Sequence, residues 1–242
     1  MNHLTKPLHS KNISMIVCDM AGTIINENGI IYQTINKTLL SLGINSSEYD
    51  MRKWGGRDKF EIIKDSIHEN ISCYEKRIDL YKKAQYIFPL KLEEEYFVNN
   101  KISLMDEKIF DLFDVLRING IKVTLNTGYP KNIQNKIIQK FNLDLYVDDY
   151  ISSEEVVFGR PYPYMIYNLM ERNYVINPNN VIKIGDTIND IKEGKNANCG
   201  MTIGVLSGHN NSQQLHNAGA DIIYNNIMDL NINNLKDSPF LL

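Results

Sequence analysis

Ile13-Ser14-Met15-Ile16-Val17-Cys18-Asp19-Met20-Ala21-Gly22-Thr23 decides how this chain is read. A largely apolar run of strand length ends in a carboxylate, and Gly22-Thr23 follows to turn the chain. Such a run, bounded by a turn signal, predicts a buried strand. In an open α/β sheet, ligands bind in the crevice at the carboxyl ends of the strands. Asp19 is therefore placed where a nucleophile or a metal ligand belongs.

The same signature recurs downstream. Short β-rich runs at 121–126, 145–151, 181–185, 201–205 and 221–224 join 13–18 as predicted strands. Between them, 106–119 predicts an amphipathic helix, with Ile109, Leu112, Phe113 and Leu116 at helical spacing and Gly120 as the stop. Further helices are predicted at 131–141, 162–172, 190–197 and 212–218. Strands alternating with helices predict an α/β fold: a Rossmann-like parallel sheet core with helices on both faces. The stretch 30–102 departs from that alternation. It shows 3.6-residue spacing at 35–42, 59–67 and 75–86, and it is too long for a loop inside a compact domain. It is expected to be a small α-helical cap inserted into a core formed by 1–29 and 103–242.

Composition narrows the partners. With 242 residues, 43% of them hydrophobic, the chain can bury a substantial core. A net charge of -3 gives no reason to expect nucleic acid or an anionic membrane as partner. Cys18, Cys73 and Cys199 form no CxxC pattern. A reduced, cytoplasmic protein is expected, with Cys18 and Cys199 as small buried hydrophobes. Residues 1–12 lack the apolar core of a signal peptide. No apolar run reaches the ~18 residues of a spanning helix.

Four polar elements follow one another in chain order: Asp19 with Gly22-Thr23, then Asn126-Thr127-Gly128-Tyr129, Gly159-Arg160-Pro161, and Gly185-Asp186-Thr187-Ile188-Asn189-Asp190. Alone, each has a plain reading. Asp19 could cap a helix, Thr127-Gly128 could be loop chemistry, Arg160 a surface charge, and Asp186 with Asp190 a helix start. Three of them sit at predicted strand ends, and the third opens a helix. Four in order over nearly the whole chain resemble the haloacid dehalogenase superfamily of aspartyl-phosphate hydrolases.

That resemblance implies roles which elementary chemistry supports. Asp19 would be the nucleophile, passing through an aspartyl-phosphate. Mg²⁺ prefers oxygen ligands and keeps several waters. Asp19, Asp186 and the main-chain carbonyl of Ala21 would hold it, with Asp190 on a metal water or steadying the loop. Thr127, Gly128 and Gly22 would bind the phosphoryl group. Arg160 would balance the charge around Asp19, a task usually given to Lys in the superfamily. Many members also carry an acid/base Asp two residues after the nucleophile, where this chain has Ala21.

Ala21, Thr127-Gly128-Tyr129, Gly159-Arg160-Pro161-Tyr162-Pro163 and Gly185-Asp186-Thr187 look like the phosphonatase (phosphonoacetaldehyde hydrolase) branch. Gly56-Arg57-Asp58-Lys59 is similar to that branch's Gly-x-x-Lys, whose lysine forms a Schiff base with the substrate aldehyde. An iminium on Lys59 would accept the electrons of a breaking C–P bond, so no proton would be needed from position 21. Tyr129 would position water or the amine. Schiff-base formation requires a neutral amine. The positive end of a helix dipole and Arg57 favour that state, whereas Asp58 opposes it. The branch has His three residues after the lysine, and this chain has Ile62.

The resemblance further implies a small phosphorylated or phosphonate metabolite as substrate and a homodimer joined through the cap. Trp54, Tyr86 and Phe88 are candidate substrate-facing cap side chains. The competing reading is a phosphomonoesterase for metabolites with good leaving groups. A mutase is disfavoured by Ala21, and a dehalogenase by the metal-type pair Asp186 and Asp190. A catalytically silent binding protein is disfavoured by the intact Asp19, Thr127, Arg160 and Asp186.

Overall fold

The computed structural model describes residues 13–45 and 55–231. Residues 1–12 and Trp54 lie outside that range. Eight strands are described: β1 (Met15–Asp19), β2 (Ile25–Asn26), β3 (Ser103–Leu104), β4 (Lys122–Thr127), β5 (Asp149–Ser152), β6 (Val181–Gly185), β7 (Met201–Val205) and β8 (Ile222–Tyr224). Six of them form one parallel sheet in the order β5-β4-β1-β6-β7-β8. The central strand β1 pairs with β4 from Met15↔Lys122 to Asp19↔Asn126 and with β6 from Met15↔Val181 to Cys18↔Ile184. The chain winds outward on one side of β1, then crosses to the other side. That reversal puts the topological switch point at the carboxyl ends of β1 and β6. Asp19 ends the first strand, and Asp186 follows the second.

Alternate residues of a strand face opposite sides, and β1 uses both. Met15 and Val17 pack with Ile151, Met165, Ile166 and Leu169, whereas Ile16 and Cys18 join Val123, Leu125, Ile182 and Ile184. Burial on both faces explains why β1, β6 and β7 are almost continuously apolar.

Eight α-helices are described: α1 (Ile30–Ser41), α2 (Lys59–Asn70), α3 (Tyr74–Glu93), α4 (Ile109–Ile118), α5 (Lys131–Lys140), α6 (Tyr164–Arg172), α7 (Ile188–Asn196) and α8 (Ser212–Asn217). Helix α6 covers the Met15 face of the sheet, and α4 and α5 contribute Phe113, Ile133 and Ile137 to the other. The first three helices pack on one another, reached after β2 and left before β3, and their buried side chains continue the core of the sheet. Those two short strands pair antiparallel, Ile25↔Leu104 and Asn26↔Ser103. The sequence reading missed this ribbon because two residues are too few to show an alternation.

Helix α3 runs seven residues beyond the predicted end at 86. Its buried stripe explains the extension: Leu80, Ala84, Phe88, Leu92 and Tyr96 recur at i+4 and are all buried. A π-helical turn, Glu94–Val98, carries the last of them. Strand β5 is shorter than predicted, because Leu143–Leu145 forms a 3-10 turn entered at Asn142 with φ 51°. Cys18 is buried as expected, but Cys199 is only half-buried and Cys73 is exposed. Among the described residues, no helix is long and apolar enough to cross a membrane.

Candidate active site

The carboxyl edge of the sheet and the helical block enclose a cavity of roughly 320 Å³. It is lined by Asp19, Ala21, Gly22, Thr127, Gly128, Tyr129, Arg160, Asp186 and Lys59, so residues up to 167 positions apart (Asp19 to Asp186) meet at one cavity. Asp190 stands just behind it, fully buried.

The floor is a buried charge network. Arg160 donates from Nη1 to Asp19 Oδ1 at 2.6 Å, from Nε to Glu193 Oε2 at 2.9 Å and from Nη2 to the Asn126 carbonyl at 2.8 Å. Lys183, in the middle of β6, lies 2.8 Å from Asp190 Oδ1 and donates to Asn126 Oδ1 at 2.8 Å. A guanidinium suits this position because its planar fork reaches several acceptors at once. The network supplies two cations, Arg160 and Lys183, against Asp19, Asp190 and Glu193. Adding Asp186 leaves the ionised site two positive charges short.

The oxygens of Asp19, Asp186 and Asp190 lie within 4.8 Å of one another. Asp186 Oδ2 accepts the His209 backbone N–H at 2.7 Å, but Oδ1 is buried with no hydrogen-bond partner. Burial pushes the Asp19 carboxyl up to about 6, with Arg160 pulling it down. Burial, then the neighbouring Asp19 and Asp190, push Asp186 well above the usual carboxylate range. An orphaned carboxylate oxygen, an all-oxygen donor set and uncompensated negative charge fit a divalent hard cation. Asp190 is more committed than the other two. Burial opposes its ionisation, yet Arg160 and Lys183 hold it below the usual range. Its Oδ2 also accepts from the Thr187 hydroxyl and backbone N–H, closing the capping box of α7. The helix-start reading of Asp190 therefore applies alongside any part in metal binding.

Gly22 has φ +79°, and a Cβ there would lie 2.7 Å from Asp186 Oδ2. The turn after β1 thus needs glycine for its backbone and for room beside the carboxylate. At Gly128 a Cβ would overlap the Arg57 carbonyl. This bare backbone lets the start of α2 seat against the β4 loop, where Lys59 N–H donates to the Gly128 carbonyl at 3.2 Å.

Lys59 opens α2 and is only 5% exposed. Its Nζ donates to the Arg57 carbonyl at 2.8 Å and stands 5.7 Å from the Tyr32 ring centroid. Burial holds its ammonium below the ordinary lysine range, against the pull of Asp19. The expected role of Arg57 is corrected: its guanidinium turns to Glu61 and Asp65 at 3.3 and 3.0 Å, and Arg160 is the cation acting on Lys59. The candidate cap side chains are corrected too. Tyr86 is 73% exposed, and Phe88 is buried against Phe60; neither lines the cavity. Glu27, Tyr32 and His209 line it instead.

Residues 13–198 match the haloacid dehalogenase-like hydrolase family. The chain is a haloacid dehalogenase-like hydrolase. A segment of 105 residues is 40% identical to phosphonoacetaldehyde hydrolase of Bacillus cereus (strain G9842), covering 42% of this chain and 39% of that protein. The Bacillus anthracis phosphonoacetaldehyde hydrolase is 44% identical over 96 residues, 38% of this chain and 35% of that protein. These matches therefore span well under half the length of the curated relatives. Among solved structures, a phosphonoacetaldehyde hydrolase-like protein from Oleispira antarctica superposes with TM-score 0.78 at 23% identity, covering 97% of both chains. A predicted phosphoglycolate phosphatase from Haemophilus somnus 129PT gives 0.72 at 20%, covering 90% of this chain and 96% of that one. Both show the shared fold.

Sequence reading missed Lys183, Glu193, Glu27 and Tyr96 as parts of this hydrolase site. Lys183 carried a signal, a lone charge inside Val181-Ile182-Lys183-Ile184. So did Glu193, one helical turn after Asp190 on α7. Glu27 carried none, because its partners come from the helical block.

Proposed function

We propose that this hydrolase is a Mg²⁺-dependent, phosphonatase-like enzyme that acts on a small phosphonate such as phosphonoacetaldehyde through a Schiff base on Lys59. The observation that carries the reading is Lys59 itself: a buried lysine with a depressed pKa lining the same cavity as Asp19. A desolvated amine is a competent nucleophile at neutral pH.

Lys59 condenses with the aldehyde, and water leaves. Asp19 attacks phosphorus, the C–P bond breaks, and its electrons enter the iminium to give an enamine. The enamine takes a proton at carbon and one water hydrolyses the resulting iminium, releasing acetaldehyde and free Lys59, while a second water hydrolyses the aspartyl-phosphate. Thr127 and the Gly128 N–H hold phosphoryl oxygens, and Arg160 keeps Asp19 ionised. Asp19, Asp186 and the Ala21 carbonyl would hold Mg²⁺, which would supply neutralisation of phosphoryl charge. Ala21 suffices because the electron sink replaces the protonated leaving group. The segment 30–102 serves as the cap over a core of 1–29 and 103–242, and closes to exclude water.

Incubation with phosphonoacetaldehyde and borohydride should leave a reduced adduct on Lys59, located by peptide mass spectrometry. Unmodified protein from an enzyme that releases phosphate would overturn the Schiff base. A second reading, a small-molecule phosphomonoesterase, is favoured by Ile62, which is fully buried and absent from the cavity wall. Under that reading Lys59→Ala hydrolyses acyl or sugar-1-phosphates at an undiminished rate.

A further inference from the structure

Beside the cavity, with Glu27 and Tyr129 in its lining, three side chains form a line of oxygens that the mechanism above leaves unused. Glu27 borders the cavity at 7% exposure, and Glu27 Oε2 accepts the Ile31 N–H in the first turn of α1 at 2.8 Å. The same oxygen accepts the Tyr96 hydroxyl at 2.9 Å. The Tyr96 and Tyr129 hydroxyl oxygens are 3.2 Å apart, and their rings meet edge to face at 87°. Tyr96 is wholly buried, delivered by the π-helical turn, and Tyr129 faces the cavity.

Counting hydrogens gives this line a direction. While Glu27 is ionised it can only accept, and in that state Tyr96 commits its one hydroxyl hydrogen to Glu27. The contact between the tyrosines must then take its hydrogen from Tyr129. Tyr129 is left with lone pairs toward the cavity and no hydrogen to offer there.

We propose that Glu27, acting through Tyr96, makes Tyr129 the proton acceptor of the cavity and stores the proton that Tyr129 removes. Tyr129 is the catalytic residue of the three; Glu27 and Tyr96 are positioning residues. The inference rests on the Schiff-base reading of Lys59. In the first step Tyr129 takes a proton from the Lys59 ammonium, its own hydrogen passes to Tyr96, and that of Tyr96 passes to Glu27. The freed nitrogen lone pair forms the C–N bond as the aldehyde C=O π bond breaks. A second nitrogen proton moves to the new alkoxide, giving a carbinolamine. The stored proton then returns from Glu27 through Tyr96 and Tyr129 to that hydroxyl. The C–O bond breaks, water leaves, and the nitrogen lone pair completes the iminium. Protons and charge balance with no outside acid. Burial pushes the Glu27 carboxyl upward, while the Ile31 and Gly29 N–H groups, Tyr96 and the charge on Lys59 favour its ionised form. The carboxylate can therefore take a proton and give it back.

Glu27→Gln keeps an oxygen for Ile31 and Tyr96 but cannot hold the proton, and Tyr96→Phe cuts the line with both ends in place. Each should lower kcat for phosphonoacetaldehyde about 100-fold, the usual scale of acid–base catalysis. KM should stay within about twofold, and borohydride-trapped Lys59 should accumulate correspondingly more slowly. Wild-type kcat in either folded variant overturns the inference and leaves the Schiff base standing. A raised KM at unchanged kcat also overturns it, since that marks a purely structural role. Absence of any adduct in the wild-type enzyme fails the Schiff-base reading itself, and the inference with it. If Glu27→Gln does not fold, Tyr96→Phe decides.

Discussion

Replacing Arg160 with Met tests whether the charge network holds the fold together or merely occupies it. Methionine fills much the same length without a charge or a donor. The guanidinium is 1% exposed, and its removal takes a donor from Asp19 Oδ1 and the Asn126 carbonyl in a dry interior, whereas Glu193 Oε2 keeps the Asn126 amide at 2.9 Å. Lys183 can still serve Asp190 at 2.8 Å and Glu193 at 3.5 Å. Asp19 has no such substitute. Taking one partner from a buried, hydrogen-bonded ion pair costs about 3–5 kcal/mol. For a chain of this size that corresponds to a fall in Tm of roughly 6–20 °C. Thermal unfolding by circular dichroism, with chelator present, measures it. Arg160→Lys should lie between Met and wild type, because a single ammonium cannot reach three acceptors. A loss under about 1 kcal/mol for Arg160→Met would refute the reasoning. It would mean that desolvating the guanidinium already offsets what its contacts contribute.

The metal site predicts a pH signature. Burial raises Asp19 to about 6 and Asp186 further, so their contribution to metal-free stability is complete below about pH 4 and is lost as pH rises through about 6. Mg²⁺ favours the ionised forms, so it should raise Tm strongly at pH 7 and barely at pH 4; equal shifts at both would exclude these carboxylates as its ligands. Gly128→Ala should cost about 1–3 kcal/mol and reduce kcat/KM, because its Cβ drives the start of α2, and Lys59 with it, off the β4 loop. An unchanged melting curve and unchanged kinetics would contradict that seat. Ile62→His, which restores the branch's residue, should destabilise the protein by about 1–3 kcal/mol without raising phosphonate turnover, because residue 62 points into the apolar block. Faster turnover in that variant would show that the imidazole reaches the cavity.

Much of this architecture was legible in the sequence because parallel strands bury both faces and announce themselves as apolar runs. Asp19, Thr127 and Asp186 could be read as neighbours, since the ends of such strands share one sheet edge. Arg160 was legible through its motif, but its burial was not; a lone Arg reads as surface charge until its partners are in view. What stayed hidden depends on contacts across the inserted helices. Tyr96 meets Glu27 from 69 positions away, through a π-helical turn that no periodicity predicts. Phe88 illustrates the converse. An aromatic residue in the cap suggested a substrate wall, yet its i+4 partners Ala84 and Leu92 place it in the core.

The two walls of the cavity carry opposite chemistry, and that contrast bears on Ala21. The sheet edge gathers carboxylates in excess of its cations, a setting that accepts a divalent ion and a phosphoryl group. The helical block contributes Lys59 and the Tyr32 ring. A carboxylate at position 21 would add another negative charge to an edge where burial and mutual repulsion already push Asp186 toward its neutral form. Alanine avoids that repulsion, and in the proposed relay proton handling passes to Glu27 and Tyr129, which share the cavity lining with Lys59. Ala21 and a relay based on Glu27 both spare the edge between Asp19 and Asp186 a further carboxylate.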